Sequence, residues 1–257
     1  MVGQEMSSRR PVDIVLSQLR IAKHELDNYP PHGFGWHKRC VESTRLLVPW
    51  LTETAPDLKA FVEEVVNSKQ LVRETWKTIK HTAGKNIPTK LLATMDRELD
   101  REAVLLTTVG GDVMSKVIEK FLIDNFPGGH LESNGRSDYP DLFIRTKNYE
   151  GLPTFASKSK SKKYGAALKG KTKRPVRVPD GLEIKTCKNR FAVDCHHAHS
   201  GLHLVLLFQG RTGSVDVEDI MVAFMRHGDY RITQPNSPTT TLKASFNGKN
   251  FVSLIHG

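Results

Sequence analysis

The chain has 257 residues, with 38 Lys and Arg against 28 Asp and Glu for a net charge of +10. That length holds one large domain or two small ones around a real core. Apolar runs such as Leu204 to Phe208 fall far short of the ~20 residues a membrane-spanning helix needs. The positive balance favours a nucleic acid or another anionic surface as partner and carries no information about fold. Cys40, Cys187 and Cys195 are an odd number at no scaffold-like spacing. With no leader-like segment before Pro11, they predict a reducing, intracellular setting.

From Val12, Val15, Leu16, Leu19, Ala22 and Leu26 recur at helical spacing until Tyr29-Pro30-Pro31 ends the run, which predicts an amphipathic helix. A second helix is expected from about His37 to Leu51, stopped near Pro56. A third carries Leu58, Phe61, Val62, Val65, Val72, Trp76 and Ile79 on one stripe. Pro88 suits the first turn of a fourth, with Leu91, Leu92, Met95 and Leu99. Residues 1–106 thus read as a helical subdomain, either packed on a catalytic domain at 107–257 or acting as a scaffold that touches no ligand. Gly110-Gly111-Asp112 breaks the helical pattern, and Asp112 is placed to cap a fifth helix bearing Val113, Val117, Ile118, Phe121 and Leu122. Glu119 lies on its polar flank.

Beyond Phe126-Pro127-Gly128-Gly129 the period changes. His130 to Ser133 reads as a strand, Asn134-Gly135 as a hairpin turn, and Asp141 opens a second strand. The segment 147–179 is poor in apolar residues and holds nine basic residues with no acid between Lys158 and Arg177: Lys158, Lys160, Lys162, Lys163, Lys169, Lys171, Lys173, Arg174 and Arg177. It reads as a phosphate-binding arm or as a solvated linker. Leu182-Glu183-Ile184-Lys185 follows as a strand. Leu182 and Ile184 can then enter a core while Glu183 and Lys185 stand together on the other face. If the strand opened by Asp141 pairs beside it, a second carboxylate joins them. Two converging acids with open positions suit Mg²⁺ when phosphate supplies the remaining oxygens.

Lys188, Asn189 and Arg190 come next, then Cys195-His196-His197-Ala198-His199 and His203. The histidines read as a short helix or turn bordering a cleft, with His196, His197 and His199 touching phosphate or base, as plain structural residues, or as a zinc site through His199 and His203. Leu202 to Phe208 is apolar enough for a strand buried on both faces, and Ile220 to Met225 is another. Residues 239–255 contain the turn signal Phe246-Asn247-Gly248-Lys249 and predict a C-terminal β-hairpin. That ribbon could enter a major groove through Thr239, Thr240, Lys243, Asn247 and Lys249, or could be an edge with no DNA role.

Pro140-Asp141 followed by Glu183-Ile184-Lys185 resembles the PD-(D/E)xK nuclease superfamily and, within it, the type II restriction endonucleases. A second acid-x-Lys run, Asp57-Leu58-Lys59, lies in a helical pattern where positions i and i+2 do not share a face. The resemblance covers residues 110–226. It implies an α/β (α+β) fold with a mixed central sheet flanked by helices, and a Mg²⁺-dependent, sequence-specific endodeoxyribonuclease acting in a prokaryotic cytoplasm against foreign DNA. It implies Asp141 and Glu183 as metal ligands, the Ile184 carbonyl as a further oxygen ligand, Lys185 as the group that activates water or stabilises charge on the phosphate, and Glu119 as an additional acid or else a solvated surface residue. It also implies duplex DNA and a second copy of the chain as partners. Contacts to DNA are expected from Lys158 to Arg174, from Lys188, Asn189 and Arg190, and from His197 and His199. Pro179-Asp180 makes Asp180 the rival to Asp141. A repair nickase or junction resolvase on the same core, and a non-catalytic DNA-binding protein, are the alternatives.

Overall fold

A computed structural model describes residues 9–30, 32–68, 108–127, 131–133, 139–144, 178–195, 198–211, 214–233, 243–246 and 248–256. Its helices are α1 (Pro11–Asp27), α2 (Trp36–Asn67) and α3 (Thr108–Asn125). The strands are β1 (Leu131–Ser133), β2 (Leu142–Ile144), β3 (Leu182–Lys188), β4 (Val193–Cys195), β5 (Gly201–Arg211), β6 (Ser214–Met225), β7 (Arg231–Thr233), β8 (Lys243–Phe246) and β9 (Val252–Ser253). Six strands form one sheet in the order β1-β2-β3-β5-β6-β9, and β4-β8-β7 form a second. The β3–β5 pair is parallel and the other pairs are antiparallel, so the large sheet is mixed, in an α+β fold.

Alternation along the strands separates two cores. Leu182, Ile184, Leu202, Leu204, Leu206, Ile220, Val222 and Phe224 meet the helices, together with Val15 and Leu19 of α1, Leu47 and Leu58 of α2, and Ile118 and Leu122 of α3. The opposite parity places Cys187, Val205, Met221, Ala223 and Met225 against Val193, Cys195, Tyr230 and Phe246 of the smaller sheet and its connections. The molecule is therefore layered as helices, large sheet and small sheet. A register shift between Leu207 and Phe208 skips Glu218 and changes the parity of β6 once, so that Val215 and Val217 join the helix-side core beside Phe208, which keeps the parity of β5.

Three expectations are corrected. The helices expected on either side of Pro56 are one, α2, with Pro49 and Pro56 inside it. A proline in a helix interior costs about 3 kcal/mol, and here the unbroken buried stripe Leu47, Val48, Leu51, Ala55, Leu58 and Val62 offsets it. Gly110-Gly111 does not break α3, which runs from Thr108, because glycine weakens a helix by only ~1 kcal/mol. The expected C-terminal hairpin is not one: β8 pairs with β4 and β7, while β9 joins β6 in the other sheet. α1 and α2 share one apolar cluster with α3 and the large sheet.

At its outer edge β6 meets side chains of α2. Asn67 accepts from the Val215 N–H at 2.7 Å and donates to the Val215 carbonyl at 2.9 Å. Glu63 accepts from the Val217 N–H at 2.7 Å and Lys59 donates to the Val217 carbonyl. No helix among the described residues is long and apolar enough to cross a membrane.

Candidate active site

Strand β3 carries its two parities to two environments. Leu182 and Ile184 are buried against the helices, and Glu183, 5% exposed, lies on the opposite face with Lys185. The Lys185 ammonium donates to Glu183 Oε1, whereas Glu183 Oε2 is buried with no hydrogen-bond partner. Burial and then the charge of Asp141 raise the Glu183 carboxyl to about 7, against the opposing pull of Lys185. Burial works to lower the Lys185 ammonium, but Glu183 and Asp141 outweigh it and the net shift is upward, so Lys185 stays charged.

Asp141 stands immediately before β2, half-buried, and its Oδ2 accepts the Ile184 N–H at 2.7 Å. Ile184 thus takes part through its backbone. Close backbone approach sets this arrangement. A Cβ built on Gly181 would lie 2.7 Å from the Leu142 carbonyl and would overlap Pro140, so only glycine lets the lead into β3 pass Pro140-Asp141-Leu142. Leu142 then pairs with Leu182.

Glu119 is 5% exposed, which overturns the solvated-surface alternative. Lys116 donates to its Oε1, and Ser133 of β1 donates to its Oε2 at 3.3 Å. Burial raises its carboxyl, Lys116 opposes that, and the charge of Asp141 adds to the rise. Glu119, Asp141, Glu183 and Lys185 are therefore one electrostatic group. Asp180, the rival of Asp141, points elsewhere: its buried carboxylate accepts from Arg39 Nε at 2.9 Å.

The histidines divide. His203 is fully buried, directly across from Glu183 in the parallel register. Its Nδ1 faces the Gly201 carbonyl at 2.9 Å and must carry the proton, since a carbonyl only accepts. Nε2 then accepts from the Tyr230 hydroxyl at 2.8 Å. Burial pushes His203 down to about 3, so it is neutral. His199, half-buried, lies against Tyr139 with tilted rings whose centroids are 3.8 Å apart and stacks on His203 at 4.9 Å. The zinc alternative fails for His203, whose two nitrogens are both committed. Among the described residues no group of three or more His, Cys, Asp or Glu is placed to hold a metal ion.

Tyr139, which the sequence reading passed over, donates to the Ser200 carbonyl at 2.7 Å, and its ring fills the space where Gly201 would carry a side chain. Its adjacency to Pro140-Asp141 was the available signal. A histidine interrupting the apolar run 202–208, with the parity of Glu183, was the signal for His203. Lys188, Asn189 and Arg190 are not brought to the carboxylates. Lys188 ends β3, five residues and roughly 17 Å along the strand from Glu183, and Asn189 and Arg190 follow it. Asn189 turns the chain there with φ 61°. Lys158, Lys160, Lys162, Lys163, Lys169, Lys171, Lys173, Arg174, Arg177, His196, His197, Thr239, Thr240 and Asn247 lie outside the described residues, as do Val72, Trp76, Ile79, the fourth predicted helix and the Asn134-Gly135 turn. Of the expected basic loop, Val178 and Pro179 are described, and both are buried.

The donor set at Asp141 and Glu183 suits a hard divalent cation. Two carboxylates, one with an unpartnered buried oxygen, together with the Ile184 backbone carbonyl, are oxygen donors of the kind Mg²⁺ takes when water and phosphate complete its shell. Compared with known proteins, the chain matches no family model, no curated protein and no solved structure.

Proposed function

We propose that this protein is a Mg²⁺-dependent, site-specific endodeoxyribonuclease that hydrolyses phosphodiester bonds of duplex DNA, a type II restriction enzyme acting as a homodimer. The observation that carries the reading is Glu183 Oε2, a buried carboxylate oxygen without a partner beside a second acid and a lysine. A buried charge is costly unless paired and hydrogen-bonded, and Lys185 engages only Oε1. A cation at Oε2 would complete its bonding.

Asp141, Glu183 and the Ile184 carbonyl would hold the metal. Bound there, Mg²⁺ supplies Lewis acidity to a phosphate oxygen and a lowered pKa for coordinated water. Lys185 keeps its proton between Glu183 and Asp141 and offers a fixed positive charge to the pentacovalent transition state, which is more negative than the ground state. Glu119, held by Lys116 and Ser133 and within the field of Asp141, is the additional acid of the site. The small-sheet face around His203 and Tyr230 excludes water from the floor beneath them.

Incubating the purified protein with phage DNA and Mg²⁺ tests the reading. Discrete bands that disappear with chelator are expected. Nicks without double-strand breaks, or cleavage only at branched DNA, would move the assignment to a repair nickase or a junction resolvase. Intact DNA bound equally well with and without Mg²⁺ would leave a DNA-binding protein with a structural Glu183–Lys185 pair.

A further inference from the structure

We infer that Asp180 and Arg39 are positioning residues that set the distance between the two metal-binding carboxylates, an assignment that rests on the nuclease reading above. Three consecutive residues ahead of β3 are tied down. The Pro179 carbonyl lies 3.4 Å from the Cys40 thiol, and Asp180 pairs with Arg39 Nε at 2.9 Å. Gly181 abuts Pro140 and the Leu142 carbonyl. The first two ties run to the first turns of α2 and the third to the residues flanking Asp141.

The start of α2 therefore decides where β3 begins, and Gly181 hands that placement on to Asp141. Arg39 is itself held: its guanidinium carbon lies 5.1 Å from the Phe34 ring centroid and 5.5 Å from that of Trp36, within cation–π range. The Asp180 side chain is completely buried and that of Arg39 is 17% exposed. A buried ion pair adds little stability over apolar residues of similar volume, but its geometry is directional. Here the direction is along the lead into Glu183, three residues on. Asp180 is distinguished from a metal ligand because its Oδ2 is engaged by Arg39 Nε.

The test measures Mg²⁺ affinity of the free protein by calorimetry, the thermal midpoint, and kcat and KM on cleaved DNA, for Asp180→Asn, Arg39→Met and the double variant. Both single variants should weaken Mg²⁺ binding about 10–100-fold. They should lower kcat with KM changed less than about twofold. The double variant should be no worse than the weaker single, because both remove the same contact. If the midpoint falls while Mg²⁺ affinity stays at the wild-type value, the pair holds only the fold and the inference is overturned. Loss of Mg²⁺ binding in Asp180→Asn but not in Arg39→Met would make Asp180 a ligand and overturn it too. Should Asp180→Asn not fold, Arg39→Lys, which keeps the charge but loses the planar contact with Phe34 and Trp36, is read in its place; an unchanged Mg²⁺ affinity there sinks the inference. A wild-type protein that binds no Mg²⁺ and cuts no DNA removes the nuclease reading itself, a result separate from variants that match an active wild type.

Discussion

On the side of the large sheet that meets the helices, β3 and β5 present Leu182, Ile184, Leu202, Leu204 and Leu206; on the other, the same two strands present Glu183, Lys185, His203 and Val205. Both sides are largely buried. His203 is as inaccessible as the leucines beside it and Glu183 is 5% exposed, while the Lys185 side chain is 25% exposed. The helix side gains its stability from apolar area removed from water, at ~25 cal/mol per Å². The small-sheet side instead places ionisable groups where desolvation strengthens their mutual fields. One strand with period two thus serves both a core and a chemical site, and the two can be separated by mutation.

The sharpest separation comes from Asp141→Ala, Glu183→Ala and Lys185→Ala. Each should reduce cleavage on the order of 10³-fold or more, as expected when a preorganised charge is removed from a transition state. Gel-shift binding to DNA and far-UV circular dichroism should change little. If Lys185→Ala cleaves normally, the two sides do not differ in the way described. Leu204→Ala makes the converse cut: a loss of ~2–5 kcal/mol in a denaturant titration, with activity per folded molecule retained. Equal loss of activity and stability in that variant would show that the site depends on the helix-side core as a whole.

A third test uses pH. Burial and Asp141 raise Glu183 to about 7, so below that value Mg²⁺ must displace a proton. Apparent Mg²⁺ affinity should fall about tenfold per pH unit below 7 and level off above it. Without metal the sign for stability is opposite. The folded state binds that proton more tightly than the unfolded chain, so this contribution is fully present below the ordinary glutamate value of 4.5 and is lost as pH rises through about 7. A Mg²⁺ affinity flat from pH 5 to 8 would remove Glu183 from the ligand set.

The smallest effect on chemistry is expected from the basic run between Lys158 and Arg177. Replacing Lys158, Lys160, Lys162 and Lys163 by Gln should weaken binding to cognate and unrelated duplexes by similar factors. Log affinity should lose up to about 0.9 of salt slope for each phosphate contact removed, with site preference unchanged. An unchanged slope would make the run a solvated linker, and lost discrimination would make it a reader of bases.

The parity of β3 was legible because Leu-Glu-Ile-Lys alternates within four residues, and the first helix because its apolar spacing ends at a double proline. The small sheet was not. Its strands are three or four residues long, too short to show a period, and they pair across roughly fifty residues of chain. β8 and β9 looked like one hairpin because local turn chemistry says nothing about which sheet each arm will find. Prolines 49 and 56 misled for a related reason: their cost is local, while the burial that offsets it depends on β6, far along the chain. Asp141 and Glu183 were readable as a pair, but Tyr139, Arg39 and the neutral His203 act through long-range contacts that no motif records.

The contacts from Asn67, Glu63 and Lys59 to β6 bear on how the protein behaves when crowded. Past the short β9 pairing, the backbone groups of Val215 and Val217 would form an open ladder, a template on which a strand from another molecule could add. Instead a carboxamide, a carboxylate and an ammonium from α2 occupy those donors and acceptors in alternation, imitating a neighbouring strand without being one. The last turns of α2 thus act as a guard against fibrous self-association, and loss of Asn67 should show first as turbidity in concentrated solution, before any change in the site is measurable.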